Sequence, residues 1–325
     1  MSYIARRLGF YLVAAWASLT LNFFLPRLMP GDPSIAIFAR FHGQLNPAAL
    51  TAMKTAYGLS DDPLPIQYVT YLAHALRGDF GTSISYFPAP VLDVIGSALS
   101  WTLLLGLTAL LLSFAIGSLL GVLSAWHRGR LADAVLPPVT MLLHSFPYFW
   151  LATLALYLLG FRSGWFPLRH GYDNTLQPDL TLEFLLSVAH HLALPALTIV
   201  AVSIGGWLLG MRNSMIGVLA EDYVTMAEAK GLTMRRVMLS YAARNALLPN
   251  VTAFGMSLGF ILSGSLLTEV VFSYPGMGFL LLTAVRSSDY PLIQGLFLLI
   301  TAAVLTANLV VDLLYIRLDP RVRMQ

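Results

Sequence analysis

The chain has no cysteine among its 325 residues, which excludes disulfides, thiolate chemistry and cysteine metal ligation. Charge is nearly as scarce. Asp, Glu, Lys and Arg make up 11% of the residues, against about a quarter in an ordinary soluble domain. So few charges cannot clothe a water-facing surface of this size, and the 57% hydrophobic content points to lipid as the solvent. Lysine occurs only at Lys54 and Lys230; the other 17 basic residues are arginines scattered at the ends of apolar runs. They form no basic patch, so the net charge of +3 gives no argument for nucleic acid. No Gly-Lys pair occurs anywhere, and without a Gly-x-x-x-x-Gly-Lys-Ser/Thr loop the chain cannot cradle ATP phosphates in the usual way. There is no His-Glu-x-x-His zinc helix, no internal repeat and no low-complexity segment.

Apolar runs, in contrast, are abundant. Six are long enough to cross about 30 Å of hydrocarbon, which takes about 20 helical residues. They lie near 8–26, 98–125, 134–161, 184–211, 246–268 and 291–316. The second to fifth contain no charged residue, and the sixth carries only Asp312 near its end. In lipid the backbone must bond within each segment, so an all-α membrane protein with six transmembrane helices is expected. Arg6-Arg7 and Ala15-Trp16-Ala17 have the look of a cleavable signal. The apolar run continues past them, and the expectation is an uncleaved first span. With the N-terminus inside, 12 of the 19 basic residues fall in 1–7, 126–133, 212–245 and the tail from Arg317. The positive-inside rule then puts both termini, and the 212–245 loop, in the cytoplasm.

That loop is the most informative stretch. Residues 222–249 are charged and helix-forming, set between two apolar runs. Asp222 can cap a first short helix, with its acidic start and Lys230 finish complementing the helix dipole. Gly231 supplies a left-handed stop and Thr233 can cap a second helix. A bent amphipathic elbow on one side of a bilayer is a surface offered to a partner; an ordinary helix lying on the membrane is the plainer alternative.

The elbow resembles the EAA coupling loop of ABC-importer permeases, and more closely that of the dipeptide/oligopeptide/nickel branch. Thr225, Met226 and Ala227 take the three places of Glu-Ala-Ala, Gly231 is the glycine that follows, and Leu248-Pro249 closes the pattern. Thr225 in place of Glu and a longer Gly-to-Pro separation depart from the general pattern and are shared by the peptide branch. Further stretches match the branch in order: Leu28-Met29-Pro30-Gly31-Asp32-Pro33, Arg77-Gly78-Asp79-Phe80-Gly81-Thr82-Ser83, Ser145-Phe146-Pro147-Tyr148-Phe149-Trp150, Glu269-Val270-Val271-Phe272-Ser273-Tyr274-Pro275-Gly276-Met277-Gly278, Asp289-Tyr290-Pro291 and Leu318-Asp319-Pro320-Arg321. The resemblance implies a type I ABC-importer permease fold and a non-catalytic membrane subunit of an ATP-driven importer in the cytoplasmic (inner) membrane of a prokaryote. Its implied partners are a second homologous permease, two ABC ATPase subunits that bind ATP and Mg, and an extracytoplasmic solute-binding protein. This chain itself holds no cofactor and no metal. Peptides are the implied substrate, with nickel chelates, glutathione or oligosaccharides as alternatives for the same machine.

The chain then divides into a first helix with its cytoplasmic end (1–29), an extracytoplasmic segment (30–96), a permease core (97–313) with the coupling loop 221–249, and a cytoplasmic tail (314–325). The outer segment is dense in Pro and Gly, and 45–57 and 65–76 have helical spacing, so turns and short helices are expected. The residues expected to couple to the ATPase are Thr225, Met226, Ala227, Glu228, Ala229, Lys230 and Gly231, with Ala227 and Ala229 small enough for close approach to the partner. Candidates for the pathway or a gate are Ser257 and Gly264 on a small, polar fifth span, Glu269 at its outer end, and His144 as an intramembrane ionisable group. Each has a plainer structural reading: an ion pair to Arg286 for Glu269, and a hydrogen bond to a neighbouring carbonyl for His144. His190 and His191 are adjacent, and adjacent helical residues point about 100° apart, so they make no metal pair. Glycine pairs at 117/121, 206/210 and 255/259 allow helix backbones to touch. Two other classes have clear requirements. A membrane enzyme needs clustered His, Asp or Glu, and an autonomous carrier needs paired intramembrane carboxylates. The scattered charges disfavour both.

Overall fold

A computed structural model describes residues 3–28, 62–259, 261 and 266–318. Helices dominate, and apart from one isolated bridge between Thr82 and Pro90 there is no β pairing among the described residues. In chain order the helices are α1 (Tyr3–Leu28), α2 (Leu64–Arg77), α3 (Val91–Trp126), α4 (Leu131–His144), α5 (Tyr148–Ala155), α6 (Leu182–Leu219), α7 (Asp222–Ala229), α8 (Met234–Arg236), α9 (Arg244–Leu258), α10 (Leu266–Val271), α11 (Met277–Arg286) and α12 (Tyr290–Leu318). Two π-helical stretches extend them, Leu156–Arg162 after α5 and Val237–Ala243 between α8 and α9.

Three of these helices are long and apolar enough to cross a membrane: α3, α6 and Tyr290–Val310 of α12. The third expected span, 134–161, is not one straight helix. It is a pair, Leu131–His144 and Tyr148–Arg162, bent by 97°. Pro147 lacks an amide donor and sits extended at φ −60°, ψ 138° ahead of α5, so the helical ladder breaks at Ser145-Phe146-Pro147. Of the expected fifth span, 246–268, the described residues show α9 as far as Leu258 and α10 from Leu266. Gly264, residues 45–57 and the end of the tail, 319–325, lie outside the described residues, as does the side chain of Asp312.

The chain forms two compact units, Met1–Thr102 with Pro275–Gln325, and Leu103–Tyr274. In the first unit, Asn22 of α1 is buried and donates to the Gln294 carbonyl of α12 (2.9 Å) and to the Tyr71 hydroxyl of α2 (3.1 Å). Phe23 meets the ring of Tyr68 edge-on at 5.2 Å, and the Arg27 guanidinium lies 3.6 Å over the Phe23 ring. A methyl group at Gly295 would collide with Val91 at 2.5 Å, so α12 and the start of α3 touch there. The spacing that predicts a helix over 65–76 is met by α2, which Gly78 closes in the left-handed conformation (φ +72°).

In the second unit α6 is the central helix, buried along Leu192–Met215. The expected glycine contacts are there in part. Cβ atoms at Gly117 and Gly121 would strike the α6 backbone, at the Ile204 carbonyl (2.9 Å) and the Leu208 carbonyl (2.6 Å). Gly210 receives Asn250 of α9 against it, but Gly206 and Gly255 face open space. Gly205 makes the close approach instead, to the Thr140 carbonyl of α4 (2.8 Å). Contact between helices is therefore backbone on backbone, the form of packing that apolar solvent favours.

Candidate functional site

The elbow follows α6 directly. The chain turns at Ala220-Glu221, and Glu221, not Asp222, occupies the N-cap of α7, with no side-chain cap bond. Asp222 moves into the first turn, where its charge still complements the helix dipole. At the other end the Gly231 amide donates to the Glu228 carbonyl (2.9 Å) and the Leu232 amide to the Ala227 carbonyl (3.3 Å). Gly231 has φ +72°. This is a Schellman stop with its accompanying apolar contact, since Leu232 packs with Ala227. Thr233 holds the cap position of α8, also without a side-chain bond.

The second arm does not stop where the loop was expected to end. From Met234 the chain passes through the π-helical stretch Val237–Ala243 into α9 without a break, up to Leu258. Three arginines, Arg235, Arg236 and Arg244, end the apolar pattern in the sequence but do not interrupt the helix.

Val224 and Ala227 of α7 and Val237 of the return arm are buried together, with Trp126 from α3 and Val218 and Leu219 from α6 against them. A neighbouring cluster joins Val122 and Ala125 of α3, Met211 and Met215 of α6, and Ala242 and Ala246 of the return arm. Asn245 adds a polar tie, donating to the Tyr223 hydroxyl (3.0 Å). The elbow is thus seated in a socket made by the ends of α3 and α6.

Of the seven residues expected to meet a partner, Thr225, Met226, Glu228, Ala229, Lys230 and Gly231 are exposed. Ala227 is 3% exposed and faces the chain's own interior. Its small side chain allows α7 to approach the return arm; it is not part of the outer surface. Met226 and Met234 add large apolar tips to that surface, 58% and 64% exposed, and methionine side chains adapt well to a partner.

The pathway candidates are spread out. The Nδ1 of His144 donates to the Val202 carbonyl of α6 at 2.7 Å, the arrangement that accommodates histidine in an apolar setting. His190 and His191 likewise bond separate carbonyls, of Trp165 (2.9 Å) and Ser187 (2.8 Å). Ser257 is half-buried and donates to the Ala253 carbonyl (2.9 Å). Residues 255–259 spell Gly-Met-Ser-Leu-Gly, the string of a hydrolase nucleophile elbow, but Ser257 lies inside α9 and has no strand-to-helix turn to expose it. Glu269 is fully buried in α10. Among the described residues no group of three or more His, Asp or Glu could hold a metal.

Two polar centres, one partly buried and one fully buried, escape a reading by motif. Asp133 of α4 accepts from Arg212 of α6 (Nε 2.6 Å, Nη2 3.0 Å), the Ser124 hydroxyl of α3 (2.8 Å) and the Gly129 amide (3.1 Å). Asp289, fully buried, accepts from the Ser83 hydroxyl (2.5 Å), the Ser85 amide (2.7 Å) and the Leu292 amide (3.2 Å), the last capping α12. In a chain with so little charge, a carboxylate at a helix end is the available signal, though it does not reveal the partner.

Three helices long and apolar enough to cross a membrane, with a bent apolar pair beside them, are the features of a multi-pass membrane protein. The chain belongs to the family described as binding-protein-dependent transport system inner membrane component, which matches residues 117–324. It is therefore a non-catalytic permease subunit of an ABC importer, with ATP hydrolysis carried by partner subunits. It is 36% identical to the di/tripeptide transport system permease protein DppB of Pseudomonas aeruginosa, covering 100% of this chain and 99% of that one. It is 34% identical to the dipeptide transport system permease protein DppB of Lactococcus lactis, over the full length of both. With the protein of the same name from Escherichia coli it shares 33% identity, over 99% of each.

Proposed function

We propose that this chain carries di- and oligopeptides across the cytoplasmic membrane and that residues 221–249 couple it to an ATPase subunit. The elbow is the observation that carries the reading: a short helix, held from inside by Val224, Ala227 and Val237, stopped by a left-handed Gly231 and left exposed on its outer face. Such an element transmits a push without bending. The substrate class rests on the full-length relatives, which bear dipeptide or di/tripeptide permease names.

In this reading the protein pairs with a second, homologous permease above two ATPase subunits, and a solute-binding protein delivers peptide from outside. ATP binding closes the ATPases, draws the elbows together and shifts the permeases from inward-open to outward-open, a two-state equilibrium biased by nucleotide. Both termini lie in the cytoplasm, and the spans number six: α1, α3, the bent pair α4–α5, α6, the 246–268 segment and α12. Ser257, Gly264, Glu269 and His144 remain the residues proposed for the pathway or its gate.

Gly231→Trp tests the coupling assignment. Gly231 is exposed and no atom lies within 4 Å of a Cβ built there; its left-handed backbone costs a non-glycine residue about 1 kcal/mol. The expected result is an assembled complex that no longer takes up peptide. Wild-type uptake by this variant removes the assignment. Uptake of labelled peptides in proteoliposomes, with and without the binding protein, tests the substrate; hydrolysis without peptide uptake moves it to nickel chelates or sugars.

A further inference from the structure

The socket that receives the elbow is itself fastened at one point, the Asp133 carboxylate. Both of its oxygens are used. Oδ1 takes the Ser124 hydroxyl of α3 and the Nε of Arg212 of α6, while Oδ2 takes Nη2 of the same guanidinium and the Gly129 amide of the turn between α3 and α4. One side chain thus ties the end of α3 and the start of α4 to α6 about two turns before its end. The pair is partly covered by its neighbours, with Asp133 10% and Arg212 22% exposed. The bidentate geometry fixes orientation as well as distance.

The neighbours of these anchors seat the elbow. Ser124 stands between Val122 and Ala125–Trp126, and Arg212 follows Met211 one turn before Met215. Val122, Ala125, Met211 and Met215 bury Ala242 and Ala246 of the elbow's return arm, and Trp126 packs against Val224, Ala227 and Val237. If the ends of α3 and α6 could slide apart, a displacement of the elbow would be absorbed in the socket. With the ends pinned, it passes into two long apolar helices whose backbones already touch at Gly117 and Gly121.

We infer that Asp133 and Arg212 are positioning residues for energy coupling: they keep the elbow's socket rigid so that ATPase movement reaches α3 and α6. This rests on the coupling reading of 221–249. The readout is peptide moved per ATP hydrolysed, measured on the full complex with its binding protein in proteoliposomes, for wild type, Asp133→Asn, Arg212→Gln, the double variant Asp133→Asn/Arg212→Gln, Arg212→Lys and Gly231→Trp. The single variants are expected to hydrolyse ATP near the wild-type rate while the ratio falls about tenfold, the size of effect found for mutations along coupled networks. The double variant is expected to stay as uncoupled as the singles, and Arg212→Lys, which keeps the charge but loses the fork, to fall between. A wild-type ratio in the singles overturns the inference. So does recovery in the double variant, which would trace the defect to a stranded charge and not to a lost strut. Should Asp133→Asn fail to assemble, Arg212→Lys decides, and a wild-type ratio there overturns the inference. Gly231→Trp separates the two readings: if it transports normally the coupling assignment itself fails, whereas if it alone is uncoupled only the strut fails.

Discussion

The elbow at 221–243 buries apolar side chains and leaves its charges outside, whereas the turn at 287–292 buries a carboxylate and surrounds it with donors. Val224, Ala227 and Val237 have no polar group to satisfy, so the elbow is held by area and fit. Its rim, Glu228, Lys230, Arg235 and Arg236, stays exposed. Asp289 does the reverse. It joins the Ser83–Ser85 stretch to the first turn of α12 by three hydrogen bonds to one side chain. If the elbow presents a face to a partner, as proposed, its polar atoms are kept for the outside. A region that only ties segments together can consume them within.

This contrast is broken most severely at Asp289. Asp289→Ala would leave the Ser83 hydroxyl and the Ser85 and Leu292 amides without their acceptor in a buried setting. The loss is about 3–5 kcal/mol, since each stranded donor forfeits its desolvation cost. The expected outcome is a large drop in the melting midpoint of the purified complex and loss of uptake in step with loss of assembled protein. Asp289→Asn, which keeps one acceptor oxygen, should fall between. An unchanged midpoint in Asp289→Ala would show that the turn is held by other contacts.

The elbow should answer differently. Val224→Ala removes two buried methyl groups from a small cluster and is expected to cost about 1–2 kcal/mol. Because α7 remains tied by its Schellman stop and by Asn245 to Tyr223, the complex should assemble. Uptake per assembled complex should drop several-fold while ATP hydrolysis continues. If uptake instead tracks the amount of assembled complex, the elbow and the Asp289 turn do not differ in kind.

The two regions were also unequally legible in the sequence. Gly231 announces the elbow's stop, because a left-handed residue after an Ala-rich turn is best served by glycine, and the structure gives it φ +72°. The helical spacing over 65–76 gives α2 in the same local way. Hydropathy misplaces the elbow's far end, because Arg235, Arg236 and Arg244 look like a boundary while the backbone ladder continues regardless of what the side chains carry. It also hides the 97° break at Pro147, since an apolar run reads alike whether straight or bent. Ala227 is small for its own chain's sake, and a single residue type cannot say which side it faces. Gly205 and Gly206 are neighbours, and only the placement of α4 selects the first for close contact. The Asp289–Ser83 bond joins residues 206 apart, and Asp133 meets Arg212 across 79. No local rule reaches such distances.

The smallest expected effect lies at the entrance to the same polar turn, at Asp79, and it separates a buried carboxylate from an exposed one. The Asp79 carboxylate lies 2.9 Å from the His74 imidazole and accepts from the Gly81 amide (3.1 Å). The His74 bond first, and the Gly81 amide second, hold its pKa below the ordinary value of 3.8. A carboxyl group whose pKa is lower folded than unfolded binds protons more readily in the unfolded chain. Its contribution to stability is therefore complete above about pH 4 and is lost as the pH falls through the folded-state value. Both side chains are more than half exposed, so solvent screening keeps the contribution small. Hydrogen exchange at the Gly81 amide, compared between the wild-type protein and Asp79→Asn, should show extra protection in the wild type at neutral pH. That difference should shrink on acidification below pH 4, while protection at the Ser85 amide, bound to buried Asp289, should not depend on residue 79. Equal loss at both amides in Asp79→Asn would mean that the loop opens as one unit and that the exposed and buried carboxylates are not independent.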